Sequence, residues 1–163
     1  MSQLDGSDIV YTARVAVPKI IGLSVHIGTR FPAYATSMGH VLLADLEPRE
    51  LDRVSRTPSR SDIVPRAKFV RRTLDASLKQ VRSRGWALSD EQLSFGIRSI
   101  AAPVRNADGS VVAAVNVTVN AAETSIAELK RAYLPKLLAT AEAISRDFAR
   151  LATLPRSTQR TKS

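Results

Sequence analysis

The chain contains no cysteine. That removes disulfides, cysteine nucleophiles, thiolate zinc sites and cysteine-held iron–sulfur clusters. Histidine occurs twice, at His26 and His40. Their spacing matches no strong metal motif, so packing or surface roles are expected of both. No stretch approaches the roughly 18 apolar residues that cross a bilayer. No basic segment followed by an apolar one marks a secretory signal. A cytoplasmic protein without membrane contact is the expectation. A G-x-S-x-G elbow, a glycine-rich phosphate loop and a matched carboxylate pair are also missing, and Ser94-Phe95-Gly96 is no nucleophile signal. A nucleophile needs a base in reach and an orienting group behind it. Catalysis is therefore not expected, and no cofactor is implied.

What remains is 163 residues with 44% apolar content, enough for one domain with a proper core. Basic charge dominates, with a net of +9. Residues 1–50 carry a net of −1, residues 51–100 a net of +6 and residues 101–163 a net of +4. The middle third holds Arg53, Arg56, Arg60, Arg66, Lys68, Arg71, Arg72, Lys79, Arg82 and Arg84. Such a field attracts nucleic acid or small anions, yet a solvated basic face has the same composition. No element that reads bases is evident.

Along the chain, 9–15 alternates as a strand behind a turn at 4–8. Only Met1 to Gln3 precede that turn, so the chain is expected to begin inside a hairpin, as a piece of something longer. A second strand is expected over 20–27, then a loop through Gly28 and Pro32. A short helix with one apolar side is expected over 36–46, capped by Thr36 or Ser37. Gly39 inside it costs helix propensity, which close packing against another backbone would explain. Pro48 opens a further short helix that fades near Arg56. The spacing of Val70, Leu74, Leu78 and Val81, with Phe69 beside them, predicts a helix over 66–84, ended by Gly85. Residues 86–88 read as extended and 89–92 as a polar turn. Two strands, 97–105 and 110–119, flank the hairpin signal Asn106-Ala107-Asp108-Gly109. A long helix over 125–151 should be kinked or split by Pro135. The fold class is α+β, an antiparallel sheet flanked by helices. Residues 155–163 read as a disordered basic tail.

The strand 110–119 is poor in charge on both faces, so Asn116 and Thr118 need partners if buried. Ser37, Ser89 and Ser99 are further small polar residues beside apolar runs. Such residues either satisfy local backbone or furnish the few polar groups of an apolar pocket.

The segment 31–44, F-P-A-Y-A-T-S-M-G-H-V-L-L-A, resembles the loop-and-helix signature of IclR-type transcriptional regulators. G-I-R-S-I-A-A-P-V-R at 96–105 resembles their second signature, followed by the matching hairpin and the strand V-A-A-V-N-V at 112–117. The resemblance runs from Asp5 to Leu151. It implies an effector-binding domain of GAF-like or profilin-like fold over 1–154, lacking its first strand. It also implies a DNA-binding winged helix-turn-helix domain that precedes it and is absent here. Partners implied are a small-molecule effector, a second copy in a dimer or tetramer, and DNA only through the absent domain. The effector cavity is implied to lie between the sheet and residues 31–40. Ser37 and Met38 match its wall, Ser89 a polar pocket position, Ile97 and Ser99 its floor, and Asn116 and Thr118 two inward polar positions. Some members carry cysteine where Ser99 stands, Met38 is bulkier than the residue often found there, and Asn116 replaces a common serine.

The stretch 27–39 is especially similar to the branch controlling aromatic-acid breakdown by the β-ketoadipate route. That similarity implies an effector such as protocatechuate, 4-hydroxybenzoate or β-ketoadipate. A carboxylate would want a guanidinium, hydroxyls or a helix N-terminus. Residues 36–39 and Arg30 are the candidates. Two other functions remain open at this point: a dimerisation module with a vestigial pocket, and a small metabolic enzyme on the same frame.

Overall fold

The computed structural model describes residues 1–15 and 25–152. Strands Ser2–Asp5 (β1) and Asp8–Tyr11 (β2) form the opening hairpin, turning at Gly6 with φ +65°. The turn is tighter than expected, and β2 stops at Tyr11. Tyr11 is the last residue paired with β1, and the N–H groups of Thr12 and Ala13 both donate to the Met1 carbonyl. Strand Arg30–Pro32 (β3) extends the sheet on β2. The strand expected over 20–27 lies largely outside the described residues, and the tail 155–163 wholly so.

A 3-10 turn, Ala33–Ala35, leads into helix Ser37–Ala44 (α1), then Pro48–Arg56 (α2) and Arg71–Arg84 (α3). Strands Ala87–Asp90 (β4), Ile97–Arg105 (β5) and Val111–Asn120 (β6) follow. The chain closes with the turn Ile126–Glu128 (α4), a π-turn over Leu129–Tyr133 and helix Leu134–Ala152 (α5). The strands make one antiparallel sheet in the order β3-β2-β1-β6-β5-β4. This is the α+β architecture expected, with helices on both faces. Among the described residues no helix is long and apolar enough to cross a membrane.

The alternation of β5 divides the core. Ala101 joins Ile9, Phe31, Met38, Leu42, Leu78 and Val81 on the side of α1 and α3. Ile100 and Ala102 pack with Leu129, Leu137 and Ala141 on the side of α5. Val111 was expected on the face of Val115 and Val117, but it packs with the α1 side. The cause is a bulge. Arg105 pairs with Val111 and Val104 with Ala113, so one extra residue reverses the facing of the strand start.

Three local readings need correction. α3 begins at Arg71, five residues later than expected, because the Arg66 and Ala67 N–H groups donate to the Leu93 and Gln92 carbonyls at 3.1 and 2.8 Å. Phe69 and Val70 are consequently exposed instead of lying on the core stripe. Ser89 and Asp90 belong to β4 instead of a turn. α1 is buried all round, not amphipathic, since the sheet lies on one side and α3 on another. Two other readings hold. Gly85, at φ +80°, ends α3. The closing helix is split just before Pro135, where the Leu134 N–H reaches back five residues to the Leu129 carbonyl. Proline has no N–H to continue the ordinary ladder, so a changed register at that point is expected.

α1 is held at both ends. The Thr36 hydroxyl accepts the Gly39 N–H at 3.0 Å, a regular N-cap. At the far end the Asp45 carboxylate accepts the Val111 N–H at 2.8 Å, tying the helix to β6. Inside α1, a Cβ on Gly39 would lie 1.9 Å from the Ala33 carbonyl oxygen. The close backbone approach expected of this glycine is therefore present, and its neighbour is the turn immediately before the helix. Gly39→Ala should destabilise the chain by about 3 kcal/mol, the scale of overpacking against groups that cannot rotate away. A lower urea midpoint with an unchanged slope would show it. A midpoint equal to the parent's would contradict the packing described.

His40, one residue on, is buried, and its Nε2 donates to the Tyr34 carbonyl at 2.7 Å. Burial holds its pKa below the ordinary 6.5, with the Arg84 charge adding to the shift and the bond to Tyr34 opposing it. The unfolded chain takes up a proton near its ordinary pKa, and the folded chain resists until lower pH. Stability should therefore fall as pH drops below about 6.5, by at most about 1.4 kcal/mol per pH unit from this group. His40→Gln keeps a donor but cannot titrate, and its stability should be flatter between pH 7 and 5 in paired denaturation series. Parallel curves would exclude this role.

Candidate ligand-binding cavity

Between the α1 face of the sheet and the start of α1 lies a cavity of about 760 Å³. Its polar floor follows from strand register. Ser89 on β4 stands opposite Ser99 on β5, and Ser99 stands opposite Thr118 on β6. Three hydroxyl residues thus cross three strands in one row, and Asn116, two residues from Thr118, shares their face. The sequence reading put Ser99, Asn116 and Thr118 on strands and Ser89 in a turn. Only the register aligns them.

α1 supplies the facing wall with Thr36, Ser37 and Met38. The Ser37 and Ser99 hydroxyls lie 2.8 Å apart, a hydrogen bond joining helix to floor. Met38 is held at its sulfur, which accepts from the Ser2 hydroxyl at 3.3 Å. Asn116 Nδ2 donates to Thr118 Oγ1 at 2.9 Å. The polar groups therefore partly satisfy one another, but the space between them is not filled by side chains. Capacity remains: the Thr118 hydroxyl proton and one proton of the Ser37–Ser99 pair. Ser89 is buried, with only two long contacts of 3.5 Å, to the Ala35 carbonyl and to Gln92. The cavity also leaves Asn116 and Thr118, which face it from β6, only half-buried.

Seven of the eight residues singled out from the sequence line this one cavity: Ser37, Met38, Ser89, Ile97, Ser99, Asn116 and Thr118. Arg30 does not. It sits at the start of β3 in an ion pair with Asp5, whose carboxyl it draws below the ordinary range, and its carbonyl accepts from Ser61. The sheet edge near the hairpin is where that guanidinium is engaged.

Two polar side chains of the cavity were not among the candidates from the sequence. Tyr11 ends β2 on the cavity wall, in hydrogen-bond contact with Asn116. Burial pushes its phenol up, while Asn116 and the charge of Arg14 oppose that shift. Arg14 lies at the rim with Nη1 donating to the Val25 carbonyl. Among the described residues it is the one charged side chain lining the cavity. Strand alternation had paired Arg14 with Val10 and Thr12, but the chain leaves the ladder at Tyr11, so alternation no longer places it. No group of three or more metal-ligating side chains exists among the described residues.

The cavity is lined mostly by apolar atoms and carries a few placed polar groups, the usual make-up of a small-molecule site. Its hydroxyls, amide and guanidinium suit a small ligand with an apolar body and hydrogen-bonding or anionic ends.

Comparison with known proteins agrees with this geometry. The family model for the C-terminal part of the bacterial transcriptional regulator IclR matches residues 1–146. The Pca regulon regulatory protein of Pseudomonas putida is 39% identical over 140 residues, covering 85% of this chain and 48% of that protein. The chain spans about half the length of the curated relatives it matches. The crystal structure of RHA06195 from Rhodococcus sp. RHA1 superposes with a TM-score of 0.83 at 45% identity, covering 92% of this chain and 60% of that one. The inducer-binding domain of the PobR transcription factor from Acinetobacter, a double mutant in complex with 3-hydroxybenzoic acid, gives a TM-score of 0.76 at 30% identity, covering 88% of this chain and 85% of that one. Sequence and fold lead to one conclusion: the chain belongs to the IclR family of bacterial transcriptional regulators and carries the family's C-terminal domain.

Proposed function

We propose that this domain senses a small aromatic or dicarboxylic acid for a cytoplasmic transcriptional regulator. The observation that carries the reading is the cavity itself, open space bounded by a hydroxyl row on the floor and a single guanidinium at the rim. A ring of benzoate size suits the apolar walls. Its carboxylate would meet Arg14, and a ring hydroxyl would reach Ser99, Ser37 or Thr118. Arg14 takes the place in this reading that sequence alone offered to Arg30, because the cavity wall includes the former and not the latter. The first turn of α1 adds the partial positive charge of a helix N-terminus to the wall. Similarity to a Pca regulon regulator and to a domain bound to 3-hydroxybenzoic acid favours the aromatic-acid branch of the family.

The frame is read as GAF-like, an antiparallel sheet with the ligand on one face and a long helix on the other. The regulator as a whole would bind DNA through a winged helix-turn-helix domain outside this chain, and would assemble as a dimer or tetramer. A ligand that prefers one packing of floor, turn and α1 shifts the population toward that packing. The shift reaches DNA binding only by its difference in affinity between the two states.

Calorimetric titration with 3-hydroxybenzoate, 4-hydroxybenzoate, protocatechuate and β-ketoadipate tests the reading. At least one acid should bind saturably. Arg14→Gln should weaken it about tenfold, the scale of a lost charge-assisted hydrogen bond. Ser99→Leu should abolish binding by filling the floor. A chain that assembles but binds none of the four would instead be a dimerisation module, and turnover of an acid would make it an enzyme.

DNA binding by the isolated chain should be weak, independent of sequence and lost as salt rises, since only its basic surface is available. Gel-shift titration at two salt concentrations checks this. A sequence-specific footprint would refute the assignment of DNA reading to a separate domain.

A further inference from the structure

A second cavity, of about 310 Å³, touches α1 at Leu43 instead of Ser37 and Met38. Among the described residues none lines both cavities. Its volume falls at the lower end of small-ligand sites. Tyr34 and Phe69 stand on its wall with their rings edge to face at 5.3 Å. Phe69 is 42% exposed, an unusual position for a phenylalanine that no strand or helix requires there.

The polar groups of this wall fall into two sets. Thr57 and Ser59 are engaged: Thr57 Oγ1 donates to the Arg53 carbonyl at 3.0 Å, and Ser59 Oγ donates to Asp8 at 2.6 Å. Ser7 Oγ and Ser55 Oγ are shielded from solvent and have no hydrogen-bond partner. Ser55 is the more telling. A shielded serine inside a helix commonly returns its hydroxyl to the carbonyl four residues back. Ser77 and Ser145 do so, bonding to Thr73 and Ala141 at 3.1 and 2.7 Å. Ser55 does not, although α2 offers the same local acceptor. Buried hydroxyls left unpaired are rare and call for a partner. Arg56, beside it on the wall, is exposed and pairs with no carboxylate among the described residues, whereas nearby Arg53 and Arg71 are both paired.

We propose that this cavity is a second ligand site, for a small molecule with an aromatic or apolar body and one anionic group. The body packs against Tyr34 and Phe69, and the anion lies at Arg56, with the unpartnered Ser55 hydroxyl turning to it by rotation about its Cα–Cβ bond. Tyr34 and Leu43 belong to the same turn and helix that carry Ser37 and Met38. Occupancy here therefore bears on the wall of the larger cavity, and any coupling between the two sites is reciprocal.

The site is tested by fluorine NMR titration of the full chain with 4-fluorobenzoate. The titration is made in the Ser99→Leu background, where the larger cavity is filled. Saturable binding should persist there. Adding Ser55→Phe should remove it. Adding Arg56→Ala, at an exposed position that leaves the fold intact, should weaken it about tenfold, and the neutral probe 4-fluorobenzamide should not respond to that change. Absence of saturable 4-fluorobenzoate binding in the Ser99→Leu chain would overturn the proposal. So would binding that neither added substitution alters.

Discussion

The contact between Gly39 and the Ala33 carbonyl is the constraint on which the rest depends. Only a residue without a side chain lets the first turns of α1 fold back against the preceding 3-10 turn. That fold-back sets where Thr36, Ser37 and Met38 stand, and so where the cavity wall stands. The Ser37–Ser99 hydrogen bond and the Asp45–Val111 bond then fix the two ends of the helix on the sheet. A helix of eight residues is marginal by itself. Here it is buried on all sides and held by several polar contacts, so packing supplies the stability that propensity does not.

The cavity persists because of what its lining residues are. Small polar side chains on β4, β5 and β6 cannot reach the helix opposite, except where Ser37 meets Ser99. Elsewhere β5 and β6 carry alanine and valine that pack closely, as Ala101, Ala102 and Ala114 do. Replacing serine with leucine along the row would convert the floor to ordinary core. The cavity thus reflects apolar burial that was not completed, and it leaves small polar groups facing open space.

Charge is arranged separately from the cavity. Most arginines on α2 and α3 lie exposed, several in ion pairs with neighbouring carboxylates, such as Arg71 with Asp52 and Asp75. Exposed pairs of this kind contribute little to stability. Arg14 differs from them by position alone. It is no more buried, but it stands at the rim of the cavity.

Sequence by itself determined the α+β class, a cap at Thr36 or Ser37, the close approach at Gly39, the hairpin at 106–109 and the break before Pro135, because each depends on periodicity or on bonds within a few residues. It also identified Ser37, Ser89, Ser99, Asn116 and Thr118 as polar residues out of keeping with their surroundings. Tertiary structure alone decided that they share one floor, since alignment of Ser89, Ser99 and Thr118 is a property of strand register across residues distant in the chain. It also decided that α3 starts at Arg71, because the competing partners of Arg66 and Ala67 lie on a loop more than twenty residues away. The same holds for the two arginines. Arg30 and Arg14 look alike in a one-dimensional reading, and only the path of the chain places one against Asp5 and the other against open space.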